Sequence, residues 1–145
     1  MGFFSKSCEY AIRACVFLAQ SSNATERKFL NDISKAIDSP EAFTAKILQS
    51  LVKNNLIQSI KGPYGGFYMT EEQIQTKTLF EIVIAIDGAD LFTKCALGLK
   101  ACSGEKPCPM HHQFLEVRES LILILKETTL KKLTSSAEID STFLK

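Results

Sequence analysis

Glycine and proline are scarce in this chain, at seven and four of 145 residues. Together with 46% apolar residues, that argues against collagen-like, low-complexity or disordered architectures and for a packed core. Net charge is nearly absent. A formal value of +1 argues against a strongly basic, non-specific nucleic-acid binder, while a local basic face stays compatible with it. No apolar run reaches membrane-spanning length, so no membrane partner is expected. Met1-Gly2-Phe3-Phe4-Ser5-Lys6 lacks the charged start and apolar core of a signal peptide, and Lys6 stands where a myristoylation signal needs Ser or Thr. A cytoplasmic protein is the expectation, and Asn23-Ala24-Thr25 is then a chance match to a glycosylation pattern. No nucleophile–base pair and no phosphate-binding glycine loop is visible, so an enzyme is not expected. There is no internal repeat, and the length suits one compact domain.

Cysteine is the residue used unusually. Five is an odd number, and disulfides are rare in a reducing cytosol, so ligands or buried thiols are better readings than bridges. Cys95, Cys102 and Cys108 fall between residues 95 and 112, together with His111 and His112, which are both histidines of the chain. Gly98, Gly104, Pro107 and Pro109 mark the segment as a loop. Soft donors on an irregular loop suit a metal or iron–sulfur centre. Zinc is a weaker match, because structural zinc sites draw ligands in close Cys-x-x-Cys pairs. Reduced thiols that sense oxidation directly are a third possibility. Cys8 and Cys15, seven apart on one helix face, read as buried core thiols.

Helical spacing of Tyr10, Ala11, Ala14, Cys15, Phe17 and Leu18 predicts a first helix over 5–21. A short helix follows over 30–37. Asp38-Ser39-Pro40 is a stop-and-restart signal, with Ser39 as cap and Pro40 at the first position of a third helix over 40–54. Phe43, Thr44, Ile47, Leu48, Leu51 and Val52 share one side of that helix; Ala42, Lys46, Gln49, Ser50 and Lys53 share the other. Two helices joined by a short turn, the second with a small and basic outer face, form a helix-turn-helix pattern. Two β-type runs, 56–61 and 67–70, flank Gly62-Pro63-Tyr64-Gly65-Gly66 and predict a hairpin, which in this position is a wing. DNA contacts are expected from Ala42, Phe43, Lys46, Gln49 and Ser50 on the helix, and from Lys61, Tyr64 and Gly65 on the wing.

Residues 71–77 read as a polar connector and 78–86 as a helix. A long helix is predicted over 110–128, where Phe114, Val117, Leu121 and Ile124 form a heptad-like seam suited to dimerisation. A last helix over 130–139 has Leu133 and Ala137 facing in, and 142–145 reads as frayed or loosely docked. The fold class expected is mainly α: a winged helix-turn-helix with a two-stranded β wing, plus a long C-terminal dimerisation helix. Its parts are a DNA-binding region (1–78), a connector helix and cysteine loop (79–110), and a dimerisation helix with a C-terminal helix (111–145).

From about Ser5 to Leu133 the chain resembles the winged-helix iron–sulfur transcription regulators of the IscR/NsrR type. Ser5-Lys6 and Tyr10-Ala11 resemble the opening helix of that family. Lys53-Asn54-Asn55-Leu56-Ile57, followed by Lys61-Gly62-Pro63-Tyr64-Gly65-Gly66-Phe67, is similar to its wing. Cys95, Cys102 and Cys108 resemble its three cluster-binding cysteines. The resemblance implies a homodimer on a roughly palindromic operator in double-stranded DNA, sensing redox, nitric oxide or iron–sulfur status. It also implies a [2Fe–2S] or [4Fe–4S] cluster held by three thiolates and one non-cysteine ligand. His111 stands where one branch has a histidine ligand. Glu9 stands where another has a carboxylate, which would come from the partner subunit. His112 or another group stays open. The first cysteine gap holds six residues where five is commoner, which leaves the cluster type open. Exposed clusters are oxygen-labile, so an aerobically purified chain without one is compatible with this reading. The alternatives are a thiol- or zinc-based redox sensor and a cysteine-rich protein-interaction module without a cluster.

Overall fold

The architecture is that of a computed structural model, in which residues 3–135 and 144–145 are described. In chain order the elements are α1 (Lys6–Ser21), α2 (Leu30–Ala36), α3 (Glu41–Lys53), β1 (Gln58–Ile60), β2 (Gly66–Tyr68), α4 (Glu71–Thr76), α5 (Leu79–Asp87), α6 (Asp90–Thr93), α7 (His111–Glu127) and α8 (Leu130–Ser135). The winged-helix architecture expected from the sequence is observed, mainly helical with one two-stranded antiparallel sheet.

α1 is the central element. Ser5 caps it, its hydroxyl accepting from the Cys8 N–H at 3.1 Å. Helices α3, α5 and α8 all pack on it. Cys8, Ala11, Ala14, Cys15, Val16 and Leu18 are therefore buried, and the small Ala11 and Ala14 let neighbours approach closely. The main core joins these to Ile33 and Ile37 of the α2 region, Ile47, Leu48 and Leu51 of α3, Leu56, Ile57, Met69, Ile82 and Leu130.

Both helices of the helix-turn-helix end in the same way. After α2, Asp38 takes φ 53°, and the Ser39 N–H reaches the Ser34 carbonyl at 3.0 Å. After α3, Asn55 takes φ 57°, and the Leu56 N–H reaches the Leu51 carbonyl at 2.9 Å. Asp and Asn tolerate this left-handed turn, and it satisfies carbonyls a helix end would otherwise leave open. The start of α3 differs from expectation by one residue. Pro40, not Ser39, occupies the cap position, and the Ser39 hydroxyl instead lies against the Thr44 hydroxyl. Thr44 in turn donates to the Pro40 carbonyl at 2.8 Å, so a buried polar side chain closes the first turn from inside.

In the wing, β1 and β2 pair with Gln58 opposite Tyr68, Ser59 opposite Phe67 and Ile60 opposite Gly66. Gly66 thus belongs to a strand, not to the turn. A third piece was not foreseen. Lys28 exchanges two backbone hydrogen bonds with Phe67, at 2.9 and 2.7 Å, so the segment before α2 flanks the hairpin.

Within 71–77, expected as a polar connector, Glu71–Thr76 forms helix α4. The cause is a capping box: Thr70 accepts from the Gln73 N–H at 3.1 Å, and Gln73 accepts from the Thr70 N–H at 3.0 Å. The buried Gln73 amide also donates to the Asn55 carbonyl at 3.1 Å. α5 starts with a second box, Thr78 with Glu81, and ends at Gly88, φ 73°. Leu130 of α8 is buried and Leu133 packs against the core as expected; Ala137 and Ile139 lie outside the described residues. Of the 142–145 segment, expected as frayed or loosely docked, Leu144 is docked against the core, and Thr142 and Phe143 lie outside the described residues. Among the described residues, no helix is long and apolar enough to cross a membrane.

Candidate metal centre and nucleic-acid interface

The cysteine loop lies between α6 and α7. Its chain path is a series of tight turns anchored at ligand positions. The Gly98 N–H bonds to the Cys95 carbonyl at 2.9 Å, with Gly98 at φ 73°. The Cys102 N–H bonds to the Leu99 carbonyl at 3.2 Å, and the His111 N–H to the Cys108 carbonyl at 3.0 Å. The turns fold spacings of six and five residues back on themselves, so the three thiols converge. Their sulfurs all lie within 4.8 Å of one another. Cys95 Sγ is 3.7 Å from Cys108 Sγ, and Cys102 Sγ is 3.3 Å from His111 Nδ1. The Cys108 N–H donates to Cys102 Sγ at 3.3 Å.

These donors are only half-buried, and they differ electrostatically. Cys95 is lowered to about 7, chiefly because the Leu99 N–H favours its thiolate. The Leu97 N–H and the thiols of Cys108 and Cys102 add to this against the opposing effect of partial burial. At Cys102 the Cys108 N–H favours the thiolate, but partial burial and the neighbouring sulfurs of Cys108 and Cys95 outweigh it and push this thiol up. Cys8 and Cys15 are buried away from the loop. Burial pushes each up to about 12, helped at Cys8 by Asp87 and Glu9 and at Cys15 by Cys8. They are core thiols.

The donor set suits an iron–sulfur group: three soft thiols, a nitrogen donor beside one of them, and a backbone N–H aimed at a sulfur. His111 opens α7, half-buried, its ring edge-on to the exposed His112. It touches Cys102 but does not join the set of mutually close ligand atoms, which among the described residues is the three thiols. Glu9 sits in the first turn of α1 with Lys6 at 3.5 Å and is likewise outside that set within one chain. A feature with no sequence signal is Arg118 of α7, whose guanidinium donates to the Lys94 carbonyl next to Cys95. Both ends of the loop are thereby held by α7.

In the helix-turn-helix, Ala42, Lys46 and Gln49 stand exposed along α3, with Ser50 half-buried. Gln49 and Lys53 of α3 and Ser59, Ile60 and Lys61 of the hairpin line one groove between helix and wing. Lys53 and the exposed Ile60 join this surface without having been anticipated as contacts. Tyr64 stands at the wing tip, 86% exposed. Two expected contacts are placed differently. Phe43 is half-buried, edge-on to Tyr10 at 5.7 Å between ring centres. Gly65 is buried, its N–H bonded to the Gly62 carbonyl at 3.0 Å. A Cβ there would lie 1.9 Å from the Ile60 carbonyl oxygen, so glycine is required by the turn itself.

The seam on α7 divides. Leu121 and Leu125 turn inward and pack with Val83 and Cys8. Val117 and Ile124, each 61% exposed, turn outward, and they line a shallow apolar groove with Phe3 and Leu121. Phe114 is half-buried.

Residues 4–136 match the family model of Rrf2, described as an iron-dependent transcriptional regulator. An HTH-type transcriptional regulator of Aquifex aeolicus (strain VF5) is 30% identical over 137 residues, covering 93% of each chain. The HTH-type transcriptional regulator IscR of Klebsiella pneumoniae (strain 342) is 29% identical over 130 residues, covering 90% of this chain and 78% of its own. Among solved structures, CymR (YrzC), the global cysteine regulator of B. subtilis, superposes with a TM-score of 0.73 at 21% identity, over 95% of this chain and 100% of its own. The chain therefore belongs to the Rrf2 family and is a DNA-binding transcriptional regulator, not an enzyme.

Proposed function

We propose that this regulator works in the cytoplasm as a homodimer on a roughly palindromic operator in double-stranded DNA. It reports redox, nitric-oxide or iron–sulfur status through a [2Fe–2S] or [4Fe–4S] cluster on the loop. The observation that carries this reading is the convergence of Cys95, Cys102 and Cys108, all within 4.8 Å, in a chain whose relatives include proteins named IscR. These thiolates would hold the cluster, with His111 as fourth ligand; Glu9 of the partner subunit is the alternative. A bound cluster supplies a redox- and ligand-sensitive iron centre, and its non-thiolate ligand is protonatable and labile, which suits a sensor.

The chain's own residues divide the remaining work. In region 1–78, Gln49 and Ser50 face base edges from α3 while Ala42 allows close approach. Lys46 and Lys61 hold phosphates, and Tyr64 carries the wing tip toward the minor groove. Phe43 contributes at most its rim, and Gly65 shapes the turn. Region 79–110 carries the sensor. In region 111–145, Val117 and Ile124, with Phe114 and Leu121 beside them, pair two copies along α7.

Anaerobic reconstitution with iron and sulfide, followed by optical spectra and metal and sulfide analysis, tests the reading. A brown protein with stoichiometric sulfide is expected. Colourless protein with no iron or sulfide would end the cluster assignment. A second reading, a single zinc ion, fits one distance as well as two thiolates on one iron do. Thiolates about 2.3 Å from a single tetrahedral zinc ion lie about 3.8 Å apart, and Cys95 and Cys108 are separated by 3.7 Å. Zinc without sulfide in the same analysis would select that reading.

A further inference from the structure

The wing leans on a residue outside it. Arg27, in the segment before α2, donates from Nη2 to the Tyr64 carbonyl at 2.7 Å and from Nη1 to the Ala24 carbonyl at 2.5 Å. The first bond joins residues 37 apart in sequence, and it lands on the wing tip. The segment that presents Arg27 is itself fixed. Asn23 Oδ1 accepts from the Thr25 N–H, the Thr25 hydroxyl and the Glu26 N–H, at 2.9, 2.7 and 2.8 Å. It also runs hard against the hairpin: a Cβ on Gly66 would lie 2.9 Å from the Lys28 carbonyl oxygen and 3.0 Å from Arg27 Cβ. The Arg27 Nε is buried without a partner among the described residues, so the head group serves two carbonyls and leaves its third nitrogen unbonded.

We propose that Arg27 is a positioning residue for DNA binding: its guanidinium latches the wing tip at the Tyr64 carbonyl and sets how the wing meets the duplex. The Tyr64 side chain, 86% exposed, is free to reach DNA because the tip is held by its backbone. A planar fork reaches two carbonyls at once, whereas lysine offers the same charge without that geometry. The latch rests on the reading of Lys61 and Tyr64 as DNA contacts.

The test uses the full chain and an operator duplex selected from genomic fragments. Arg27→Lys and Arg27→Met are compared by fluorescence anisotropy, in the native background and in a Lys61→Ala/Tyr64→Ala background. Amide exchange at Gly65 is measured on the free protein. Both Arg27 variants are expected to weaken binding about tenfold, the scale of one hydrogen bond to a charged group. Lysine should give no rescue, the loss should shrink below about twofold once the wing is blunted, and Gly65 should exchange faster. Full rescue by lysine would overturn the latch in favour of charge alone. An undiminished loss in the blunted background would overturn it in favour of direct contact or general misfolding. Unchanged exchange at Gly65 would overturn it without reference to DNA. If blunting the wing with Arg27 intact leaves affinity unchanged, the wing-contact reading fails, and with it the DNA half of the proposal; Gly65 exchange still decides the latch.

Discussion

Gly65→Ala offers a sharp perturbation of the wing. The added Cβ would sit 1.9 Å from the Ile60 carbonyl oxygen, 2.8 Å from its carbon and 3.0 Å from the Gly62 carbonyl oxygen. All three atoms are backbone, so no side chain can swing aside. Relief requires either separating the strand ends, which breaks the Ile60–Gly66 pairing, or opening the turn, which loses the 3.0 Å bond from the Gly65 N–H to Gly62. Each lost hydrogen bond is worth about 1 kcal/mol, and forced overpacking adds about 1–3 kcal/mol, so the closed wing is disfavoured by about 2–4 kcal/mol. The core need not share that cost. Leu48, Leu51 and Leu56 stay buried if the tip alone lets go. Urea unfolding should therefore show a global loss of only about 1–2 kcal/mol, while amide exchange shows an unprotected wing and operator binding falls at least tenfold. Gly104→Ala is the control, since no heavy atom lies within 4 Å of a Cβ there. It should be neutral within about 0.5 kcal/mol. A Gly65→Ala protein with native wing protection and native affinity would refute the steric reasoning.

Other outcomes follow from the loop, the helix face and the seam. Cys102→Ala should abolish iron and sulfide loading yet leave the melting temperature within about 2 °C, because the loop is half-exposed and outside the core; a large drop would make the loop structural. In the metal-free chain, Cys95 is a thiolate above about pH 7, so its alkylation by iodoacetamide should rise with a midpoint near pH 7 as read by mass spectrometry. Cys8 and Cys15, held at about 12, should resist alkylation until the chain unfolds. The stability linked to their neutral form is present below the unfolded thiol value and lost as pH rises toward 12, so the urea midpoint should fall across that window. Lys46→Ala and Lys61→Ala should each lower the slope of log affinity against log salt by about 0.9, and an unchanged slope would remove that lysine from the phosphate contacts. Val117→Glu with Ile124→Glu should give a folded monomer by sedimentation; a persistent dimer would place the interface elsewhere.

The parts of this fold that were legible in sequence are those fixed by local chemistry. The α2–α3 turn announced itself through Asp38-Ser39-Pro40, and the wing through Gly62 to Gly66. The parts that were not legible depend on contacts distant in sequence. α4 carries little apolar signal, and its burial comes through Gln73, whose amide is satisfied by Asn55 eighteen residues earlier. Lys28 becomes a strand partner only because Phe67 arrives beside it. Phe43 fits the apolar side of its helix wheel, and nothing local says that Tyr10 will cover it. At the candidate centre, ligand types could be read from composition, but their convergence could not. Spacings of six and five residues close into one triad because three separate turns happen to reverse the chain at the ligands.

The placement of the loop constrains how a sensor there could act on DNA. Its start is held by Arg118 at the Lys94 carbonyl and its end runs into His111, so both ends are fastened to α7 and neither to the reading helix α3. α7 packs on α5, and α5 packs on α1 and α3. Within one chain, a change in the loop would have to travel through the cluster of Cys8, Val83 and Leu125, which is at most 3% exposed. Packed cores of this kind resist small deformations. The outer face of α7 is different, because Val117 and Ile124 are free of that cluster. Under the dimeric reading, a loop that shifts α7 moves one subunit against the other across this face, and each reading head follows as a rigid unit. Rigid rotation at an interface costs less than repacking a core and changes the spacing of two heads directly. Coupling through the pairing face of α7 is therefore favoured over coupling through the interior.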